Sequence, residues 1–136
     1  MGRWYSRPVL FVSDVERALS FYVGQLGFTK AWGDNPDGKP FVAQVDRSGC
    51  ELILSSQWPE KNGTALIFLS LDPADVAAVR TELDQAGVEV KSGWWGYPLM
   101  IVEDPDGNEL YIPCSEERTD VGEVGSEPAR AATQCG

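Results

Sequence analysis

The stretch VLFVSDVERALSFYVGQLGF, residues 9–28, predicts a strand followed directly by a helix. Four apolar residues open it, and Ser13 and Asp14 then supply side chains that are preferred at a helix N-cap. The next apolar positions recur at helical spacing, and Gly27 is the residue type that commonly ends a helix. Further strand-like runs follow at residues 28–32, 41–46 and 50–56. The first half is therefore predicted to be a strand, a helix and three strands.

The second half of the chain repeats this order. An apolar strand at residues 65–71 leads into Asp72-Pro73, and proline is favoured in the first turn of a helix. Gly87 ends this helix 60 residues after Gly27. Three predicted strands follow, at residues 88–91, 99–103 and 108–112. The repetition predicts an α+β fold of two tandem βαβββ units, at about residues 7–58 and 64–115, whose open sheet edges favour a homodimer.

Composition indicates a folded domain over residues 1–115. The 136 residues are 43% hydrophobic and 10% aromatic, as in globular proteins. From residue 116 to residue 136 the chain has few large apolar residues, which predicts a disordered acidic tail. No apolar run approaches the roughly 18 residues needed to cross a bilayer. The N-terminus lacks the pattern of a signal peptide, so we expect a cytoplasmic protein with no membrane partner.

The net charge narrows the class of partner. The formal charge is −10, and the tail has five acidic and two basic residues, which leaves −7 on residues 1–115. Nucleic-acid binding needs clustered Lys and Arg, so this balance argues against it. An acidic surface is compatible with a cationic small molecule, although solubility is the more common explanation of such a charge.

Three segments resemble the vicinal oxygen chelate superfamily of glyoxalases, bleomycin-resistance proteins and dioxygenases. They are Val-Leu-Phe-Val-Ser-Asp14, then Ser20-Phe21-Tyr22 with the following Gln-Leu-Gly-Phe28, and Glu103-Asp-Pro-Asp-Gly-Asn108 before the last strand. The resemblance spans about residues 7–115. It implies paired βαβββ units with curved mixed sheets that enclose a cleft, usually in a dimer.

Metal-using members of that superfamily hold a divalent ion with four side chains, one from the first and one from the last strand of each unit. Aligned through the matching segments, these positions fall at Arg7, Ile53, Leu66 and Tyr111. Arginine has no lone pair to donate, leucine and isoleucine have no donor atoms, and neutral tyrosine is a rare ligand. A register error of two residues would bring in only Glu51. We therefore expect no metal ion, no other cofactor, and neither metal-dependent glyoxalase nor dioxygenase activity.

The sequence offers few residues for catalysis. It contains no histidine, the usual proton shuttle and activator of Ser or Cys nucleophiles. Glu51, Glu103 and Glu109 lie on predicted strands, where a pocket could raise a carboxyl pKa enough to make a base. We assign no catalytic residue, and a metal-independent isomerase, lyase or hydrolase that uses a pocket carboxylate remains the alternative.

Aromatic residues are concentrated in segments expected to line or rim the cleft. They include Trp32, Trp58 and the sequence Trp94-Trp95-Gly96-Tyr97. Such rings stack on planar or cationic groups at little entropic cost, and the alternative is that one or two of them fill the core or the dimer seam. A small structural or regulatory dimer with a closed pocket is thus a third reading.

These features, with the metal-free bleomycin-resistance branch of the superfamily, predict a protein that sequesters an aromatic or cationic small molecule such as an antibiotic, without turnover. Stacking is assigned to the aromatic residues, hydrogen bonding to Arg and Tyr at the vacant metal positions, and charge compensation to glutamates. The predicted ligand-binding residues are Arg7, Trp32, Glu51, Trp94, Trp95, Tyr97, Glu103 and Tyr111. The sequence does not identify the ligand, nor whether units pair within one chain or between two.

Overall fold

The computed structural model describes residues 2–34 and 41–114. The predicted tail at residues 116–136 lies outside this range. The chain divides into two compact units. The first contains Met1–Ala65 and Asp104–Asn108, and the second contains Leu66–Glu103 and the residues from Glu109 onward.

The first unit is a helix packed on a four-stranded mixed sheet. Its elements are β1 (Val9–Phe11), α1 (Val15–Leu19) continued by a π-helical turn (Ser20–Gln25), β2 (Thr29–Asp34), β3 (Val42–Arg47), β4 (Cys50–Ser55) and a 3₁₀ turn (Pro59–Lys61). The strand order is β1-β4-β3-β2. The β1–β4 pair is parallel and the other two pairs are antiparallel.

The second unit has the same topology. Its elements are β5 (Leu66–Phe68), α2 (Pro73–Gln85), β6 (Lys91–Trp94), β7 (Pro98–Glu103) and β8 (Glu109–Pro113). The strand order is β5-β8-β7-β6, again with one parallel pair at the edge. The prediction of an α+β fold made of two βαβββ units is confirmed, whereas the homodimer stays a prediction.

Helix α1 starts and ends where the sequence predicts. One carboxylate oxygen of Asp14 accepts hydrogen bonds from the backbone N–H groups of Glu16 and Arg17, at 2.9 and 3.2 Å. Gly27, after the helical segment, has φ of 75°, a left-handed conformation that favours glycine. The helix packs on β3 and β4, where Ala43, Val45, Leu52 and Leu54 are completely buried. The opposite face of these strands carries the polar residues described below.

Helix α2 is only partly covered by the rest of the second unit. Val76 and Leu83 are buried, while Val79 and Ala86 are only partly so. Asp72 occupies the N-cap without a side-chain capping hydrogen bond, and Pro73 begins the helix. In the described part of the chain, no helix combines the length and apolarity needed to cross a membrane.

The sixth strand lies three residues later than predicted. Val90 packs against the second unit's core of Val76, Met100 and Ile112, but it precedes the ladder, which starts at Lys91. The apolar residues at positions 88–90 therefore reflect packing against the core, and they do not form a paired strand. As a result Trp94 belongs to β6, and the connection to β7 shortens to Trp95-Gly96-Tyr97.

Candidate functional site

A hydrogen-bonded cluster covers the open face of the first sheet, and its centre is Gln44 on β3. The Gln44 side chain is nearly inaccessible, with the residue only 5% exposed. Its Oε1 accepts hydrogen bonds from Nη1 of Arg7 and from Nε1 of Trp32, both at 3.0 Å. Its Nε2 donates to Oδ1 of Asp46 at 2.9 Å. We call Arg7, Trp32, Gln44, Asp46 and Glu51 the Gln44 cluster.

Glu51 completes this cluster through charge. Its Oε1 lies 3.9 Å from Nε of Arg7, which is an ion pair but too long for a hydrogen bond. Asp46 and Glu51 are direct partners across β3 and β4. The structure therefore brings together Arg7, Trp32 and Glu51, three residues that the sequence predicts to bind ligand.

Gln44 and Asp46 were missed by sequence reasoning. Both are polar residues of β3, and they alternate with the apolar residues Ala43 and Val45. Gln44 also lies directly opposite Ile53, one of the four positions where metal-using relatives carry a ligand. A polar side chain opposite such a position is the signal that could have identified Gln44.

Three aromatic rings form a second surface, on the open face of the second sheet. The rings of Phe68 and Trp95 are stacked, with centroids 5.4 Å apart and planes inclined by only 11°. The Trp95 ring also packs against Tyr111, at 5.1 Å and 55°. Phe68 and Tyr111 are register partners on β5 and β8. We call Phe68, Trp95 and Tyr111 the Trp95 stack; Phe68 was not predicted.

A tight turn holds Trp95 in place. The backbone N–H of Trp95 donates to the carbonyl of Tyr97 at 3.1 Å, and Gly96 between them has φ of 83°. Trp94, half-buried at the end of β6, pairs with Pro98 across the hairpin. The predicted residues Trp94 and Tyr97 therefore flank Trp95, whose ring packs on Phe68 and Tyr111.

The remaining predicted residue, Glu103, lies on β7. Its Oε2 accepts a hydrogen bond from Nζ of Lys91 at 3.1 Å, and this bond together with the carboxylate charge raises the pKa of the Lys91 ammonium. Glu103 is also the register partner of Glu109 on β8, and Glu109 lies two residues before Tyr111. Two carboxylates thus lie beside the Trp95 stack along one face of the sheet.

Trp58, a further predicted cleft aromatic, packs within the first unit. Its ring meets that of Phe11 edge to face, with centroids 5.9 Å apart. Nζ of Lys61 lies 5.4 and 5.5 Å from the centroids of Phe11 and Trp58, within cation–π distance of both. The protein's own ammonium group thus sits over these two rings.

The four positions at which relatives hold a metal do not offer a ligand set. Arg7 donates a hydrogen bond to Gln44 and forms an ion pair with Glu51, and Tyr111 packs on Trp95. Ile53 and Leu66 are aliphatic. Across residues 2–34 and 41–114 the structure contains no group of three or more His, Cys, Asp or Glu side chains able to hold a metal ion. The residues present do not fit a divalent ion of the superfamily type.

Solved structures share this fold. A glyoxalase/bleomycin resistance protein from Streptomyces sp. CB03234 is 28% identical, with a TM-score of 0.62, over 79% of this chain and 99% of the other. TnmS3, an antibiotic binding protein from the same organism, is 27% identical, with a TM-score of 0.66, over 83% and 97%. The copper(II)-bleomycin complex of the bleomycin-binding protein from Streptomyces verticillus has a TM-score of 0.67 over 85% and 100%; at 24% identity it supports the fold alone.

None of the curated proteins is significantly similar to this chain in sequence. The family model described as the Glyoxalase/Bleomycin resistance protein/Dioxygenase superfamily matches residues 4–112. This match includes both βαβββ units almost completely. The chain therefore belongs to the glyoxalase/bleomycin resistance protein/dioxygenase superfamily.

Proposed function

We propose that the protein binds and sequesters an aromatic or cationic small molecule, such as an antibiotic, without a metal ion and without turning the ligand over. The observation that carries this proposal is the Trp95 stack. Trp95 is 50% exposed and Phe68 is 38% exposed, although both are large apolar side chains. Exposed aromatic surface of this kind is costly in water and typically marks a binding site.

The geometry of the stack suits a planar ligand. Because Phe68 and Tyr111 support Trp95 from β5 and β8, the indole ring is held before a ligand arrives. A ligand ring that stacks on a held indole gains the contact without the entropy cost of ordering it. Trp94 and Tyr97, on either side of Trp95, extend the aromatic surface in this proposal.

Charge supports a preference for cations at this surface. Glu103 and Glu109 lie opposite each other on β7 and β8, and Glu109 is two residues from Tyr111. Residues two apart on a strand are about 7 Å from each other and share a face. A cationic group on a ligand stacked at Trp95 is therefore within reach of these carboxylates. The charge of −7 on residues 1–115 adds a long-range attraction for cationic ligands.

The relatives are consistent with a binding role. TnmS3, 27% identical to this chain, is described as an antibiotic binding protein. In our proposal Trp32 also stacks, Arg7 and Tyr111 donate hydrogen bonds, and Glu51 or Glu103 offsets positive charge. A homodimer in the cytoplasm completes the proposal, and sedimentation velocity on the purified full chain tests the dimer.

The test of the function is a titration with bleomycin-type and planar aromatic antibiotics, followed by tryptophan fluorescence. We expect saturable quenching for the native protein and a loss of at least about tenfold in affinity for Trp95→Ala. Trp4→Ala is the matched control, because Trp4 is 98% exposed. The absence of quenching across the panel would contradict antibiotic binding, as would equal quenching by native protein and Trp95→Ala.

Recovery of the ligand separates binding from catalysis. We expect chromatography to return every bound ligand unchanged after prolonged incubation. A product that still forms with chelator present, and no longer forms with Glu51→Gln or Glu103→Gln, would instead establish the alternative, an enzyme that uses a carboxylate.

A further inference from the structure

We propose that Arg7 and Trp32, held together by Gln44, form a subsite for a neutral carbonyl-type oxygen at the edge of a planar aromatic ligand. This inference rests on the proposed function and specifies which chemical group the first unit recognises. It concerns the Gln44 cluster alone and is independent of the Trp95 stack.

The position of both side chains is fixed by one buried atom. Nη1 of Arg7 and Nε1 of Trp32 each lie 3.0 Å from Oε1 of Gln44, so the two nitrogens are at most twice that distance apart. The third hydrogen bond of Gln44 determines the orientation of its amide. Because Nε2 donates to the Asp46 carboxylate, which only accepts, the other amide atom must be the oxygen. The relative position of the Arg7 and Trp32 side chains is therefore fixed before any ligand binds.

Arg7 retains hydrogen-bonding capacity towards a ligand. A guanidinium group carries five N–H donors, and Gln44 takes one of them. The Glu51 contact at 3.9 Å is too long to take another as a hydrogen bond. The Arg7 side chain is 42% exposed and its Cζ lies 5.6 Å from the centre of the Tyr5 ring, which favours a defined guanidinium plane.

Trp32 offers a flat surface rather than a donor. Its indole N–H is already bonded to Gln44, while the residue remains 43% exposed. A ligand ring that stacks on Trp32 would therefore present its edge substituents to the neighbouring Arg7. The substituent that gains most is one that accepts a hydrogen bond from a guanidinium group.

Local charge decides what kind of acceptor this is. Asp46 and Glu51 outnumber Arg7, so the charged groups of the cluster total −1. A ligand carboxylate would be repelled by both acids, and a ligand ammonium has no atom that accepts a hydrogen bond from Arg7 and is repelled by its guanidinium charge. A neutral carbonyl oxygen accepts from Arg7 without either penalty, because it carries no net charge.

Three ligands with one ring system and different charges test this subsite. They are 2-naphthamide, 2-naphthoate and 2-naphthylmethylammonium, titrated into the full-length ¹⁵N-labelled protein while the tryptophan indole signals are followed. Trp32→Phe and Trp95→Phe assign the two signals that matter. We expect the Trp32 signal to shift at the lowest concentration of 2-naphthamide. Arg7→Met should weaken that binding about tenfold, the size of a charge-assisted hydrogen bond.

Arg80→Met is the matched control, because Arg80 also pairs with a carboxylate but does so on α2. Gln44→Met should move the Trp32 indole N–H signal upfield in the free protein, whereas Gln57→Met at an exposed position should not. If Gln44→Met does not fold, Arg7→Met still gives a result, because the Arg7 side chain is partly exposed and lies outside the strands.

The outcomes separate this inference from the proposed function. Equal binding of the three ligands at Trp32, tightest binding of the ammonium or the carboxylate there, or an unchanged affinity in Arg7→Met would each overturn the subsite. A shift at Trp95 without one at Trp32 overturns the subsite and leaves the proposed function standing. No shift at either residue overturns both for aromatic ligands of this kind.

Discussion

The phenolic oxygen of Tyr22 donates a 3.0 Å hydrogen bond to Oδ2 of Asp104, although 82 residues separate the two in sequence. Tyr22 is completely buried and Asp104 is 4% exposed. The Tyr22 ring also meets Phe21 and Phe28 edge to face, at 5.2 and 5.9 Å. Burial of the hydroxyl, and next the charge of Asp104, raise the pKa of Tyr22 far above its usual range. The segment Asp104–Asn108 is thereby anchored in the first unit.

This pair predicts loss of stability in alkali. A phenol whose pKa is higher folded than unfolded stabilises the fold fully below the unfolded value of 10.0, and this stabilisation falls as the pH rises above it. We expect urea unfolding to show a steep fall in the free energy of unfolding above about pH 10, with a smaller fall in Tyr22→Phe. Ultraviolet absorbance of tyrosinate should show one tyrosine that ionises only with unfolding. Ionisation of all four tyrosines in the folded state would contradict the assignment.

The hydrogen bonds of the Asn108 side chain predict that loss of this one amide group strongly destabilises the fold. Its side chain is wholly buried and accepts from the backbone N–H of Ala65 at 2.9 Å, while its Nδ2 donates to the carbonyl of Phe11 and to Asp104. Asn108→Ala leaves these partners without their hydrogen bonds. We expect the substitution to lower the free energy of unfolding by roughly 3 kcal/mol. Asn62→Ala is the control, because its buried Oδ1 has no partner in the described residues. Equal losses in the two variants, measured in urea, would contradict this account.

Substitution of two glycines by alanine distinguishes the stability cost of backbone strain from that of a steric clash. Gly63 and Gly87 have nearly the same positive φ, 75° and 77°. A Cβ at Gly63 would collide with the carbonyl of Asp106, whereas a Cβ at Gly87 would have open space. We expect Gly87→Ala to cost about 1 kcal/mol through strain and Gly63→Ala to cost about 2 kcal/mol more. Thermal unfolding of both variants checks the difference, and similar melting temperatures would contradict it.

The two helix starts predict unequal responses to the same substitution. Asp14 caps α1 through two backbone N–H groups, whereas the Asp72 side chain makes no capping hydrogen bond to α2. We expect Asp14→Ala to lower the free energy of unfolding by about 1 kcal/mol and Asp72→Ala by a few tenths. The measurement is chemical denaturation at moderate ionic strength. A larger loss for Asp72→Ala would show that charge near the helix end outweighs capping.

Much of the fold could be predicted because its signals are local. Asp14 and Gly27 bound the first helical segment through capping and left-handed geometry, which depend on a few neighbouring residues. Pro73 and Gly87 do the same for α2. Strand β6 was misplaced by three residues because Val90 is apolar for core packing, and burial without pairing leaves the same pattern as a strand.

The candidate site was predicted in part. Aromatic and charged residues in a chain without histidine predicted eight ligand-binding residues, and their binding role stays a prediction: Arg7, Trp32, Glu51, Trp94, Trp95, Tyr97, Glu103 and Tyr111. Their grouping depends on register between strands that are far apart in sequence, and sequence spacing does not report register. Gln44 and Phe68 were therefore missed.

What the sequence determined by itself is the repeated βαβββ order and the helix ends, because each follows from residue type and short spacing. Only the tertiary structure decided that Arg7 and Trp32 share one buried amide oxygen, and that Trp95 lies on Phe68 and Tyr111. These contacts join residues 12 to 37 positions apart in the chain. They form only when strand pairing and side-chain burial fix which faces meet, and that is a property of the folded chain as a whole.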